Sequence, residues 1–228
     1  MAALMRRYGA GARWYDVLSG ERPVYRAGRQ AGIALLDLSP GDSVVDLGCG
    51  TGLNFALLLE ATAPSGVVIG VDRSPEMLAV AQRRVDHEGW GDRVRLIRTD
   101  AAELRPETVA RAVAELHGGG DDRADALFAT YALSVIGKRE EAWRRALATL
   151  RPGARVCIVD MQPPHGFWRV LSPLARLACA TGGADISARP WRMLERDALE
   201  PSAVRRVERK GGHIVAVAAT VSASDVPR

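Results

Sequence analysis

Ser43-Val-Val-Asp-Leu-Gly-Cys-Gly-Thr-Gly-Leu-Asn54 decides how this chain is read. Ser43–Leu47 has the β-branched, apolar character of a buried strand. It runs straight into Gly48-Cys-Gly-Thr-Gly52, and Leu53–Glu60 follows with a helical pattern. A glycine turn between strand and helix lets the backbone fold tightly and approach a ligand closely. The helix start then offers unpaired N–H groups to something polar.

Working outward, strands and helices keep alternating. Val67–Val71 reads as a second strand, leading through Asp72-Arg-Ser-Pro75 into a helix over Glu76–His87 with Ser74 as N-cap and Pro75 at its first position. Val94–Arg98 and Ala124–Thr130 are the third and fourth strands, with a helix and a Gly118-Gly-Gly120 loop over Pro106–Asp122 between them. Arg139–Leu150 reads as a helix stopped by Arg151-Pro-Gly153, and Arg155–Val159 as a fifth strand. Such alternation implies right-handed crossovers and a doubly wound parallel α/β sheet. The end differs: Ala203–Glu208 and His213–Val221 flank Arg209-Lys-Gly-Gly212, a β-hairpin pattern that closes the sheet antiparallel.

Composition removes several classes. The 228 residues suit one domain, with 47% hydrophobic and 25% charged residues. No apolar run approaches a membrane span, so an integral membrane protein is excluded as an expectation. Met1–Tyr8 lacks the apolar core of a secretory signal, which points to a cytoplasmic protein. Cys49, Cys157 and Cys179 share no metal-type spacing, so no metal site is expected. The net charge of +4 does not indicate nucleic acid: apart from Lys138 and Lys210 the basic residues are arginines scattered among 27 acids, not gathered on one element.

The glycine loop narrows the ligand. Dehydrogenase fingerprints run G-x-G-x-x-G, whereas this loop runs G-x-G-x-G with Asp46 two residues ahead of it, and no P-loop pattern is present. Asp72 ends the second strand twenty residues beyond Gly52, where a carboxylate can accept ribose hydroxyls. Asp100 ends the third strand on the same carboxyl edge. Either acid alone would more often be a helix N-cap than a ligand group. Together behind this loop they point to a nucleoside.

Val44–Gly52, Gly70-Val-Asp-Arg-Ser-Pro-Glu-Met-Leu78, Thr99-Asp-Ala101 and Leu150-Arg-Pro-Gly153 resemble the ordered motifs of class I S-adenosylmethionine-dependent methyltransferases. The resemblance covers residues 40 to 160 and the terminal hairpin. It implies a Rossmann-like, seven-stranded, mostly parallel sheet and S-adenosylmethionine as cofactor, with S-adenosylhomocysteine as product. By the same resemblance, Asp46 and the loop at Gly48, Gly50, Thr51 and Gly52 hold the methionine part, Asp72 the ribose, and Asp100 with Ala101 the adenine. Asn54 and Arg73 complete the cofactor-binding set. The loop form, with Tyr15-Asp-Val-Leu-Ser19 upstream, is also similar to small-molecule and phosphatidylethanolamine N-methyltransferases.

The acceptor is sought on the carboxyl edge and in the segments that cover it. Tyr131 directly follows the fourth strand, in a place where methyltransferases of macromolecules carry Asn/Asp-Pro-Pro-Tyr/Phe; those prolines are missing, which favours a small-molecule acceptor. His165 follows the fifth strand and is a candidate general base. Tyr15 is a third catalytic candidate. Gly166–Ala178 reads as an amphipathic helix, either packed on the sheet or touching a membrane surface. Tyr8, Trp14, Tyr15, Tyr25, Phe167, Trp168 and Trp191 lie outside the central motifs, and with Tyr131 suggest an aromatic-lined pocket. The expected organisation is a single domain: a helical lid over 1–40, a cofactor core over 41–161, an acceptor cap over 162–200 and the hairpin over 201–228. The function expected is methyl transfer to N, O or C of a small, partly apolar molecule. The alternatives are a phospholipid amine at the membrane surface and a non-methylating enzyme that binds the same cofactor.

Overall fold

The computed structural model describes residues 25–119, 123–166 and 185–222. Its centre is a seven-stranded sheet built from β1 (Ser43–Leu47), β2 (Val67–Asp72), β3 (Val94–Arg98), β4 (Ala124–Thr130), β5 (Leu150–Met161), β6 (Arg205–Arg209) and β7 (Ile214–Val221). The strand order is β3-β2-β1-β4-β5-β7-β6, with β7 antiparallel to both β5 and β6. The expected mostly parallel sheet with a terminal hairpin is therefore present.

Helices α1 (Arg26–Leu36), α2 (Phe55–Ala61) and α3 (Pro75–Glu88) cover one face, and α4 (Pro106–His117), α5 (Arg139–Leu147) and α6 (Trp191–Asp197) the other. Alternation along the strands feeds both layers. In β1, Val44 packs under α2 and α3 while Val45 and Leu47 pack on the opposite side. Burial on both faces is why β1 is wholly apolar apart from Ser43 and Asp46. Helix ends follow their local chemistry. The Ser74 hydroxyl accepts from the Met77 N–H at 3.2 Å, Pro75 occupies the first turn, and Gly89 closes α3 in the left-handed region.

Some boundaries differ from the sequence reading. The fifth strand begins at Leu150, not Arg155: Pro152 and Gly153 are exposed in a register irregularity opposite Ala124–Ala126, so they divert the strand without ending it. The helix before it correspondingly stops at Leu147. Within the expected lid, Arg26–Leu36 is a packed layer of the core, buried through Gly28, Ala31, Gly32 and Leu36 against β4, β5 and β7. Within the expected acceptor cap, Trp191–Asp197 is a core helix, and Trp191, 2% exposed, belongs to the hydrophobic cluster and not to a pocket. The amphipathic segment 166–178 lies, but for Gly166, outside the described residues.

Candidate functional site

From β3 the chain passes β2 and β1 by way of α4 to reach β4, so β1 and β4 flank the switch point of the sheet. Polar side chains stand at or one residue before the ends of four strands there, each after an apolar run: Asp46, Asp72, Thr130 and Asp160.

The glycine loop folds back over β2. The N–H groups of Gly48 and Cys49 both donate to the Val71 carbonyl, at 2.8 and 3.0 Å. Gly52 has φ of 77°, and a Cβ on it would stand 2.5 Å from the Phe55 ring, so only glycine fits. A Cβ on Gly50 would meet nothing within 4 Å; this is the open side of the loop. The Gly50 N–H donates to Asp72 Oδ2 at 2.9 Å, and Asp72 Oδ1 accepts from the Ser74 N–H at 2.8 Å. Burial raises the Asp72 carboxyl, and these backbone donors oppose the rise.

Asp46 is fully buried. Its Oδ1 accepts from Asn54 Nδ2 at 2.8 Å, and the same amide donates to Thr130 Oγ1 at 3.0 Å, tying β1, the start of α2 and β4 together. Asp46 Oδ2 and Asn54 Oδ1 are buried acceptors with no hydrogen-bond partner among the described residues. Burial pushes the Asp46 carboxyl up to about 7, while Asn54 and the charge of Arg29 pull the other way. Two unsatisfied acceptors behind an open glycine loop call for a cationic donor. The ammonium of a methionine moiety is such a donor, so these residues fit S-adenosylmethionine. Asp100 caps a short 3₁₀ turn through the Ala102 N–H at 2.9 Å, and its Oδ2 lies 3.8 Å from Arg73 Nη1. Ala101, next to Asp100, and Thr51, in the glycine loop, are both buried. Asp72 and Asp100 therefore do shape local turns, in keeping with the capping alternative. Each carboxylate retains lone pairs for a ligand.

Across the switch point, Tyr131 has φ of 55°, an uncommon conformation for a bulky side chain. Its N–H donates to the Val159 carbonyl at 2.8 Å, and its hydroxyl donates to the Tyr25 carbonyl at 3.0 Å. The two tyrosine rings are 4.7 Å apart, and the Arg29 guanidinium lies 5.4 Å from the Tyr131 ring centre. Met161 and Ile186 complete this apolar cluster. The contact of Tyr25 with Tyr131 agrees with the aromatic grouping read from the sequence; Arg29, Met161 and Ile186 are not singled out there, because the fold brings them in from distant segments.

His165 is placed differently from expectation. Its Nε2 lies 2.6 Å from Glu208 Oε2, its N–H donates to the Gly211 carbonyl at 3.2 Å, and its ring covers Gly212. It fastens the β6–β7 turn. Tyr15 lies outside the described residues. Sequence reasoning misses Asp160, although an acid ending an apolar strand is the same signal that marks Asp46 and Asp72. Among the described residues no group of histidines, cysteines or acids could hold a metal ion, and no helix is long and apolar enough to cross a membrane.

Comparison with known proteins agrees with this geometry. A family described as a methyltransferase domain matches residues 45–156. The chain is 32% identical over 164 residues to the 2-phytyl-1,4-naphtoquinone methyltransferase of Synechococcus elongatus, covering 71% of this chain and 62% of that protein. It is 26% identical over 173 residues to the demethylmenaquinone methyltransferase of Symbiobacterium thermophilum, covering 72% and 64%. The chain thus spans less than two thirds of the curated relatives it matches. A solved structure from Thermotoga maritima, a SAM-dependent methyltransferase described as a possible histamine N-methyltransferase, shares the fold with a TM-score of 0.62 and 18% identity, covering 97% of this chain and 100% of that one.

Proposed function

From the premise that this chain belongs to the class I S-adenosylmethionine-dependent methyltransferases, we propose that it methylates a small, partly apolar aromatic hydroxy compound, on the oxygen or on a ring carbon activated by it. The observation that carries the reading is the pair of unpartnered buried oxygens, Asp46 Oδ2 and Asn54 Oδ1, behind a glycine loop whose open side is Gly50. They support a bound ammonium, with Asp72 and Asp100 along the same edge for the nucleoside.

When bound, the cofactor supplies an electrophilic methyl group. The chain's own part is to hold the nucleophile in line with that group and keep water out. Tyr25, Tyr131, Met161 and Ile186 offer an apolar, aromatic wall for the acceptor. Arg29 places positive charge beside Tyr131. That charge favours an acceptor that reacts as an anion, a phenolate or the enolate-like form of a quinol, over a cationic amine. Tyr131 acts by position: its hydroxyl proton is engaged by the Tyr25 carbonyl, which argues against a proton-transfer role. We place the enzyme in the cytoplasm, with contact at a membrane surface where the acceptor carries a lipid tail.

Incubation with labelled cofactor against prenylated naphthoquinols, simple phenols, free amines and phosphatidylethanolamine vesicles tests the reading. Labelled product in the phenol or quinol arms supports it; product only with amines or phosphatidylethanolamine overturns the acceptor class. Cofactor consumed in no arm, with S-adenosylhomocysteine still bound, points to a non-methylating enzyme. Asp72→Ala should weaken S-adenosylhomocysteine binding at least about tenfold by calorimetry, since it removes a charged acceptor and frees the Gly50 amide.

A further inference from the structure

We propose that Asp160 is a positioning residue of the acceptor wall: a buried carboxylate clasp that joins the exits of β4 and β5 and so fixes where Tyr131 stands. The inference rests on the placement of the acceptor at Tyr131 proposed for the function.

The apolar run Val156–Val159 ends in an acid with no accessible surface. A carboxylate in such a place survives only if its oxygens are engaged. Asp160 Oδ2 accepts from the Ser134 N–H at 3.2 Å and Oδ1 from the Met161 N–H at 2.8 Å. Ser134 lies three residues beyond Tyr131, in a turn that the Val135 N–H closes onto the Ala132 carbonyl at 3.0 Å. The Ser134 carbonyl in turn accepts from the Asp185 N–H at 3.1 Å. Asp185 holds the next turn through the Ser187 N–H at 2.9 Å and lies 3.8 Å from Arg139 Nη2. The carboxyl group therefore joins the segments that carry Tyr131 and Met161, and the Ser134 carbonyl extends the link to the segment that carries Ile186. Its side chain belongs to the opposite face of the sheet from theirs, so it shapes the wall without lining it. Arg139 on α5 and Asp185 in the turn are the charged groups that bear on it. Burial raises Asp160 to about 6, the Met161 N–H, the Ser134 hydroxyl and N–H, and Arg139 opposing the rise, so the ionised clasp prevails at neutral pH.

Asp160→Asn tests this against Ser134→Ala. The amide offers one acceptor oxygen and turns an NH2 toward a backbone donor, while alanine at 134 keeps the backbone N–H. In Asp160→Asn, S-adenosylhomocysteine affinity should stay within about twofold of wild type, kcat/KM for the acceptor should fall at least about tenfold, and amide exchange over residues 131–135 should accelerate by a similar factor. Ser134→Ala, which removes the hydroxyl beside Asp160 but keeps the backbone N–H, should change all three by less than Asp160→Asn does. A folded Asp160→Asn with unchanged acceptor kinetics and slow exchange over 131–135 overturns the proposal. Hydrogen exchange needs neither cofactor nor acceptor. A wild-type protein that methylates nothing therefore refutes the proposed function and leaves the clasp to be decided by exchange. Should Asp160→Asn not fold, the Ser134 and Met161 amides of the wild type, which donate to Asp160, should exchange at least about tenfold slower than their intrinsic rates; exchange at the intrinsic rate overturns the clasp.

Discussion

The two halves of the sheet's carboxyl edge are built on opposite plans. Around β1 to β3 the working groups belong to short stretches of chain: Asp72 bonds the N–H two residues on at Ser74, Asp100 does the same to Ala102, and Asp46 reaches Asn54 eight residues away. Around β4 and β5 the partners are remote. Tyr131 bonds the carbonyl of Tyr25, 106 positions earlier, and Asp160 holds Ser134 across 26 positions. The first half is a cradle held mostly by local bonds, with the Gly50–Asp72 and Asn54–Thr130 bonds tying it to β2 and β4. The second is assembled mainly from separate segments. Cofactor binding should therefore tolerate changes in the acceptor half, while the reverse should fail.

The largest effect should come from the cradle. Gly52→Ala forces a side chain into the left-handed region and against Phe55. Stability should drop by about 2–3 kcal/mol, and S-adenosylhomocysteine affinity should fall roughly a hundredfold or more by calorimetry. Retained affinity would break the contrast between the halves.

A second effect is set by pH. Asp46, pushed to about 7, and Asp160, to about 6, hold protons in the folded free protein that their unfolded forms release nearer 4. Their contribution to stability is therefore complete at low pH and is lost as pH rises through about 6 for Asp160 and about 7 for Asp46. The loss is about 1.4 kcal/mol per pH unit for each group between its unfolded and folded values. The free protein's Tm should be higher near pH 5.5 than at pH 8, and Asp46→Asn should flatten the upper part of that slope. Cofactor affinity should move the other way, rising with pH as Asp46 ionises to face the ammonium. Affinity that does not vary across pH 6 to 8 would detach Asp46 from the cofactor.

The smallest effect sharpens the boundary of the acceptor half. His165 is 63% exposed on its side chain and pairs with Glu208 on the hairpin. His165→Ala should leave kcat within about twofold and lower stability by less than about 1 kcal/mol, as for other exposed pairs. A loss of kcat beyond tenfold would restore the histidine as a general base.

The same contrast explains how much of the molecule is legible in its amino-acid sequence. β1, β3 and β4 start and stop where their apolar runs do, and Ser74-Pro75 marks α3, because strand burial and helix capping are local rules. The cradle is legible for the same reason. The acceptor half is not. Composition groups Tyr25 and Tyr131 as pocket aromatics, but nothing local says that the two rings touch, since the contact depends on α1 lying across β4, β5 and β7. Trp191 suggests a pocket by composition, yet α6 turns it into the core beside Trp143, whose Nε1 donates to Asp197 Oδ2 at 2.6 Å. His165 offers the right residue type in the right stretch, but the hairpin turn packs on its ring.

The outer strands of the sheet have a consequence in the crowded conditions of a cell. β3 at one end carries Arg95 and Arg98, and β6 at the other carries Arg205, Arg206 and Arg209. A second copy adding a strand to either border would bring guanidinium groups together along an otherwise sticky ladder of backbone donors and acceptors. Charged side chains at both borders disfavour the addition of a further strand there.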